Sequence, residues 1–256
     1  NNLGASRSDL IFNDFDRAFI DNGTALYMDP YGGYNENRLA SVFGRVNYNF
    51  KEKYLFEGVI RRDGSSKFGS DNRYGIFPAV SAGWVVSREQ FFPDQKILNF
   101  AKLRFSWGQN GNDRIAPFQY SPTMTNQDIY FFGENQDMYY GIRPERIPNS
   151  EVRWETSEQL SVGANLGFFK NRLTLSVDYY DKRTIDWLLQ PPAMILSGNE
   201  PSDENMGEVA NKGWEFELSY KNNFGPVHFV SSFIGATNKN EVISIENNNG
   251  YFTACD

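Results

Sequence analysis

The sequence predicts an all-β protein, an antiparallel transmembrane β-barrel to which this chain contributes about eight strands. Three observations support this prediction. Apolar and polar residues alternate along successive segments, as expected of strands with one apolar face and one wet face. Short turns and long loops connect these segments in alternation, which is typical of membrane barrels. Aromatic residues also lie at strand ends beside the short turns, namely Phe50 and Tyr54, Phe168 and Phe169, and Tyr220 and Phe224.

The predicted strands of the first half begin after a stretch rich in turn formers. Residues 1–37 are predicted to be mostly loop, with part of a strand near residues 9–20. Strands are then predicted at 39–50, 54–62, 74–86 and 101–107, where the alternation is clear. A tight turn joins the first two strands, and the polar loop 63–73 joins the next pair. The segment 88–99 breaks the alternation and is predicted to hold a helical turn before Pro93.

The second half contains two long loops. Residues 108–150 and 188–212 are predicted to be these loops, and the first is far longer than connections inside compact soluble domains. Strands are predicted at 151–168, 173–187, 213–220 and 227–242, and residues 246–256 are predicted to be loop. All of residues 1–256 are therefore assigned to one β-barrel domain. No signal peptide precedes Asn1, so we expect the chain to be an internal piece of a longer polypeptide.

Composition narrows the class of protein. The 256 residues are 16% aromatic, yet the mean hydropathy is −0.56. No apolar run approaches the ~20 residues of a membrane helix, so helical spans are excluded. The net charge of −7 argues against a nucleic-acid partner. Cys255 is the one cysteine and His228 the one histidine, which argues against a metal site or a catalytic triad built on these residue types.

One face of the predicted strands carries the charges, and in a barrel this face lines a wet lumen. Its charged residues are Arg45, Glu57, Arg61, Lys102, Arg104, Glu215 and Glu217. A soluble β-sandwich is the alternative, because aromatic residues also fill sandwich cores. Such a sandwich usually has loops of similar length at both ends, whereas this chain alternates short turns with long loops.

Two sets of oxygen-bearing residues invite a chemical interpretation. Residues 63–66 with Asp71 and Asn72 do not have the spacing of an EF-hand loop, so a hairpin loop is the simpler prediction. Asp178, Asp181 and Asp186 would suggest hydrolysis only if they shared a cleft. We therefore assign no catalytic residue, no metal ligand and no cofactor.

Four motifs lie on and beside the first strands: RDGSSKFG at 62–69, NRYGIFP at 72–78, SAGW at 81–84 and LRFSWGQNGN at 103–112. Further similarity lies at 154–159, 173–182 and 211–215. Together these residues closely resemble the barrel portion of the SusC/RagA family, the TonB-dependent outer-membrane transporters of Bacteroidetes-type bacteria. The resemblance extends from about Leu39 to Asn240.

The resemblance implies a barrel of about 22 strands filled by a separate plug domain, and eight strands are only about a third of it. It also implies TonB-dependent import of oligosaccharides or peptides across the outer membrane, and no enzymatic activity. A SusD-like surface lipoprotein is expected over the long loops, and the TonB–ExbB–ExbD complex is expected to act through the plug region, which this chain lacks. Outer-membrane lipid is expected around the barrel.

Two groups of residues are candidates for binding in such a transporter. Arg45, Glu57, Arg61, Arg104, Glu215 and Glu217 are candidates for contact with the plug or the substrate, although a solvated barrel wall is the simpler role. Tyr130, Phe131, Tyr139 and Tyr140 are candidates for contact with a sugar ring or the lipoprotein, and packing within the loop is the simpler role. Two rival functions stay open: a self-contained eight-stranded outer-membrane adhesin or enzyme, and a soluble glycan-binding β-sandwich.

Overall fold

The computed structural model describes residues 7–10, 23–26, 36–92, 97–133, 136–192 and 199–245. The chain divides into two compact units, residues 1–37 and residues 38–256. In the first unit, β1 (Arg7–Leu10) pairs antiparallel with β2 (Gly23–Leu26). Most of the strand predicted near residues 9–20, and the loop predicted at 246–256, lie outside the described residues.

The second unit is built on one sheet of eight antiparallel strands, in the order β12-β11-β10-β9-β6-β5-β4-β3. These strands are β3 (Leu39–Phe50), β4 (Tyr54–Ser65), β5 (Tyr74–Val85), β6 (Leu98–Asn112), β9 (Glu155–Phe168), β10 (Leu173–Leu189), β11 (Glu204–Phe224) and β12 (Val227–Ile245). A separate hairpin of β7 (Met124–Phe132) and β8 (Asp137–Pro144) lies between β6 and β9 in sequence. One 3₁₀ turn, Val86–Arg88, follows β5. The predicted all-β sheet of eight antiparallel strands is confirmed.

Across the described residues, no helix is both long enough and apolar enough to span a membrane.

Several strands are longer than the alternation predicted, and the two predicted long loops are correspondingly shorter. Strand β6 continues to Asn112, and the hairpin β7–β8 occupies part of the stretch predicted as loop 108–150. Strand β11 begins at Glu204, inside the stretch predicted as loop 188–212, and pairs there with the end of β10. Here both faces of β11 are largely polar, so the apolar alternation that reveals a strand is absent although the backbone ladder continues.

The connections differ systematically between the two ends of the sheet. The tight turns β3–β4, β9–β10 and β11–β12 lie at one end, called the turn end below. Gly225 in the last of them has φ +59°, a conformation that glycine adopts without strain. The loops 66–73, 113–154 and 190–203 lie at the opposite end, called the loop end. The short turns and the long loops, which alternate along the sequence, therefore lie at opposite ends of the sheet.

The two faces of the sheet have opposite character, because cross-strand partners share a face. The face called the apolar face carries large side chains that are exposed in this chain, among them Val42, Val46, Tyr48, Phe56, Ile60, Leu103, Phe105, Val162, Trp214 and Phe216. Val42, for example, is 75% exposed. The opposite face, called the polar face, carries mainly Ser, Asn, Gly and charged residues. An apolar patch of this extent requires contact with an apolar partner or with an apolar solvent such as lipid.

The two edges of the sheet are open. Among the described strands, β3 pairs only with β4, and β12 pairs only with β11. A self-contained eight-stranded barrel would instead pair its first and last strands. The sheet also has no second sheet packed against its apolar face within the described residues, as a sandwich would require.

The buried core of the chain lies at the loop end. We call it the loop core; it consists of Phe68, Phe77, Ile115, Val152 and Trp154. The Trp154 ring lies 5.1 Å from the Phe68 ring and 5.6 Å from the Phe77 ring. Its indole N–H donates a hydrogen bond to the Arg73 carbonyl at 3.2 Å. Phe68 comes from RDGSSKFG and Phe77 from NRYGIFP, so these motifs pack the loops against the end of the sheet.

Candidate functional site

The six charged residues predicted as candidates for binding all lie on the polar face. Arg45 is the partner of Val59, two positions from Glu57, and Arg61 follows on the same face of β4. The register also places the remaining three on this face: Arg104 is opposite Gly163, Glu215 is opposite Asp178, and Glu217 is opposite Ser176. The structure separates them into two groups, one on β3–β4 and one on β6–β11.

Arg104 forms an ion pair that reaches over an intervening strand. Arg104 on β6 and Asp178 on β10 are both cross-strand partners of Gly163 on β9. One terminal nitrogen of Arg104 donates to both carboxylate oxygens of Asp178, each at 2.8 Å. A Cβ atom at position 163 would lie 1.9 Å from Asp178 Oδ1. The ion pair therefore forms because residue 163 has no side chain.

This ion pair lies in a concavity of about 620 Å³ on the polar face. The concavity is lined by polar side chains, including Lys102, Gln159, Tyr180, Lys182 and Glu215. A smaller concavity of about 320 Å³ lies next to it, shares Asp178 and Glu215, and adds Glu217. The first concavity thus carries both cations and carboxylates, whereas the charged residues that line the second are all carboxylates.

Three charges in these concavities have no ion-pair or hydrogen-bond partner among the described residues: Lys102, Lys182 and Glu215. Within the part of the chain that the structure describes, Glu217 accepts a single hydrogen bond, from the Ser219 hydroxyl at 3.1 Å. Such groups can pair with a molecule that enters the concavity, and a molecule without charge would leave them unpaired.

The other predicted charges are already paired. Arg45 lies 2.6 Å from Glu57, and Arg61 lies 2.6 Å from Asp63. Both arginines are about half exposed, and exposed pairs contribute little to stability, typically about 0–1 kcal/mol. The structure therefore brings Arg104, Glu215 and Glu217 together and leaves Arg45, Glu57 and Arg61 apart from them.

The four predicted aromatic residues lie on the hairpin β7–β8, away from the polar-face concavities in the sheet. Tyr130 is the cross-strand partner of Tyr139, and their neighbours Phe131 and Tyr140 lie on the other face of the hairpin. All four are exposed; Tyr140, for example, is 66% exposed. The Phe132 ring lies 5.8 Å from the Tyr139 ring, in an edge-to-face arrangement. The hairpin thus presents apolar rings on both of its faces.

The three aspartates considered for hydrolysis do not share a cleft. Asp178 lies on the polar face beside Arg104. Asp181 lies on the apolar face, 3.1 Å from Lys212. Asp186 pairs with Arg153 at the loop end, at 2.6 Å. They do not form the pair of carboxylates that glycoside hydrolysis requires.

Polar contacts hold the loops together beside the loop core. The Gln119 amide donates to the Asp203 carboxylate at 3.2 Å, and the Asn149 amide donates to the Asp203 carbonyl at 2.9 Å. The Ser202 hydroxyl donates to the Ile147 carbonyl at 2.5 Å. Burial raises the pKa of the Asp203 carboxyl above its ordinary value of 3.8, although Arg146 nearby has the opposite effect.

The sequence pattern does not single out Lys102, Asp178, Tyr180 or Lys182 as binding residues, although they line the same concavity as Arg104. Their alternation along β6 and β10 was available as a signal. The alternation does not reveal that β6 pairs with β9, because the hairpin β7–β8 separates these two strands in sequence.

The sheet lies within a stretch of sequence that matches a known protein family. The family model described as TonB dependent receptor-like, beta-barrel matches residues 2–253. The chain belongs to this family of TonB-dependent receptor barrels. Its eight strands are thus part of a larger barrel, as the exposed apolar face and open edges require.

Relatives and solved structures place this TonB-dependent receptor barrel near the SusC/RagA type. TonB-dependent receptor P3 of Formosa agariphila is 35% identical over 231 residues, which are 90% of this chain and 23% of the relative. TonB-dependent receptor SusC of Bacteroides thetaiotaomicron is 34% identical over 187 residues, 72% of this chain and 19% of SusC.

A structure of the RagAB peptide transporter superposes with a TM-score of 0.75 at 26% identity, over 88% of this chain and 25% of that chain. The barrel segment thus spans about a fifth to a quarter of the length of the proteins it matches. The SusC/RagA resemblance seen in the sequence motifs is confirmed.

Proposed function

We propose that this chain forms part of the barrel wall of an outer-membrane importer of the SusC/RagA type. One observation carries the proposal: a single antiparallel sheet exposes an apolar face, lines concavities on its polar face, and leaves both edges unpaired. In an outer-membrane barrel the apolar face contacts lipid, the polar face lines the lumen, and neighbouring strands cover the edges.

The dimensions of the apolar face support a membrane position. On β11 this face is largely apolar from Trp214 to Phe224, which corresponds to about 33 Å along a strand at ~3.3 Å per residue. Strands in outer-membrane barrels tilt by about 40°, so the height of this band is about 25 Å, the height of the apolar band in such barrels.

We propose oligosaccharides or peptides as the imported substrate. The polar-face concavities support a substrate rich in hydrogen-bonding groups, because serine, glutamine, tyrosine and charged side chains line them. RagAB, whose structure this chain resembles, is a peptide transporter, and a peptide would supply both carboxylate and ammonium groups to Lys102, Lys182 and Glu215. The plug is the other partner that these charges would contact.

We propose two protein partners. A SusD-like lipoprotein would cover the loop end, where the loop core fixes the long loops and the hairpin β7–β8 exposes Tyr130, Phe131, Tyr139 and Tyr140. The TonB–ExbB–ExbD complex would supply energy through the plug region of the full-length protein. The similarity of this chain to SusC and to RagAB supports this pairing.

The test is uptake by the native bacterium. Disrupting the gene for the full-length protein should abolish growth on a peptide mixture or on an oligosaccharide mixture, and disrupting the TonB gene should have the same effect. Growth that is unchanged on both mixtures would contradict the proposal. So would an intact polypeptide no longer than ~300 residues, because a barrel of about 22 strands cannot be built from it.

A charge test addresses the concavity itself. The double variant Lys102→Gln, Lys182→Gln in the full-length protein should raise the apparent KM for an acidic peptide about 100-fold or more, since each of the two lost hydrogen bonds to a charged group is worth about 1.5–3 kcal/mol and about 1.4 kcal/mol corresponds to a factor of ten. Lys170→Gln, in the tight turn β9–β10, is the matched control and should leave KM unchanged. Equal KM values for all three proteins would exclude this concavity as a substrate contact.

A further inference from the structure

Charged residues begin at one level on the apolar face of three neighbouring strands, β10, β11 and β12. Leu160, Asp181, Lys212 and Lys239 are successive cross-strand partners on β9, β10, β11 and β12. We call them the boundary row. The neighbouring row toward the turn end consists of Val162, Tyr179, Trp214 and Thr237 and carries no charge. The face therefore changes from uncharged to charged within two residues on three adjacent strands.

The boundary row lies where the apolar band ends on the side of the loops. It follows Trp214, the last aromatic residue of the band on β11, and Trp107 on β6 is the next partner of Leu160. The Trp107 indole donates to the Glu158 carboxylate at 3.1 Å, which is typical of an aromatic residue at an interface. Lysine on the lipid face costs about 2–4 kcal/mol at the bilayer midplane but only about 0–1 kcal/mol at the interface.

Lys212 and Lys239 are direct cross-strand partners in this row. Like charges in direct cross-strand pairs are destabilising. Lys212 has one carboxylate in its row, Asp181 at 3.1 Å, and Lys239 lies 2.9 Å from Glu241 in the next row. The side chains of Lys212 and Lys239 are 41% and 75% exposed, so both ammonium groups are accessible from the apolar side.

Charge is layered across the two rows. The boundary row holds two ammonium groups and one carboxylate. The next row toward the loop end holds Glu158, Arg183 and Glu241, with two carboxylates and one guanidinium group. The positive layer is therefore the one nearest the apolar band.

We propose that Lys212 and Lys239 bind the phosphate group of an anionic lipid in the membrane leaflet on the side of the loops. A phosphate that approaches from the apolar side would form charge-assisted hydrogen bonds with both exposed ammonium groups, beside their carboxylate partners Asp181 and Glu241. The acyl chains of the same lipid would cover Trp214 and Tyr179, whose rings lie 5.1 Å apart on the adjoining band. This inference rests on the outer-membrane position proposed above.

The experiment measures lipid binding to the purified full-length protein in detergent by native mass spectrometry. The probes are lipid A with its phosphate and the same lipid after enzymatic dephosphorylation. The variants are Lys239→Gln, the double variant Lys212→Gln, Lys239→Gln, and Lys182→Gln as a control. Lys182 follows Asp181 immediately on β10 but points to the polar face, so it matches the charge change and the depth.

The wild type and Lys182→Gln should bind phosphorylated lipid A about tenfold more tightly than the dephosphorylated lipid. Lys239→Gln should reduce this preference, and the double variant should abolish it. Lys239 is highly exposed, so the single variant keeps the test valid if the double variant does not fold. Equal binding of both lipids by the wild type, or an unchanged preference in the variants, would overturn the inference.

The same measurement separates this inference from the proposed function. A full-length protein that is soluble without detergent and binds neither lipid would contradict the outer-membrane position. A detergent-dependent protein that imports substrate but binds both lipids equally would contradict only the phosphate site.

Discussion

Removing the Phe68 side chain should release the loops at the loop end while leaving the eight-stranded sheet intact. Phe68 is fully buried, with 0% exposure, and its ring packs on Trp154. Truncating a buried phenylalanine to alanine costs about 3–5 kcal/mol. Because the loop core lies at one end of the sheet and four of its five residues come from loops 66–73 and 113–154, we expect this cost to fall on local opening of the loops.

Hydrogen exchange of the full-length protein measures this opening. A loss of about 3 kcal/mol should speed exchange in residues 113–123 and 145–154 by a factor of about 100, since about 1.4 kcal/mol corresponds to a factor of ten. Exchange in β10 near Leu173, at the turn end, should not change. Phe118→Ala is the matched control, because Phe118 lies in loop 113–154, whose exchange is measured, and is 50% exposed. Loop exchange that is equally slow in both variants, or faster exchange throughout the sheet, would refute the reasoning.

Two further changes test the polar contacts. Gly163→Val should displace Asp178 from Arg104 and so destabilise the protein. In an Arg104→Ala background this loss of stability should be about 1 kcal/mol smaller, as measured by denaturant unfolding of the full-length protein. Fully additive effects of the two substitutions would contradict the contact. The raised pKa of Asp203 means that the folded loops bind this proton more tightly than the unfolded chain, so the loop core should gain stability as pH falls through the raised value toward 3.8. Asp203→Asn should remove that pH dependence from loop proteolysis, and a wild-type rate independent of pH would contradict it.

The sequence allowed the architecture of the sheet to be predicted because one physical rule governs most of it. Side chains alternate between faces, so residues such as Tyr54, Phe56 and Ile60 identify a strand wherever one face is apolar. The rule fails where both faces are polar. Strand β11 from Glu204 to Lys212 is such a case: its ladder with β10 is formed by backbone groups, which the alternation does not report.

The candidate site was predictable only residue by residue. The polar-face positions of Arg104 and Glu215 follow from alternation, and the structure places them on that face. The ion pair of Arg104 with Asp178 does not follow, because it depends on the register of three strands and on the absence of a side chain at Gly163. The loop core was not predicted for a related reason: Phe68 and Trp154 are far apart in sequence, and the alternation does not report which residues meet where the loops pack on the end of the sheet.

The sheet presents two problems that a single environment must solve. In water, its exposed apolar face and its two open edges would favour aggregation. In lipid, the apolar face is satisfied, but each unpaired backbone group at an edge costs several kcal/mol. Further strands paired with the free edges of β3 and β12 remove the cost of the unpaired backbone groups. The bilayer covers the apolar face that water would leave exposed. A larger closed barrel in a membrane is therefore the arrangement that satisfies both faces and both edges, and the polar-face concavities around Arg104 then lie on the inside of its wall.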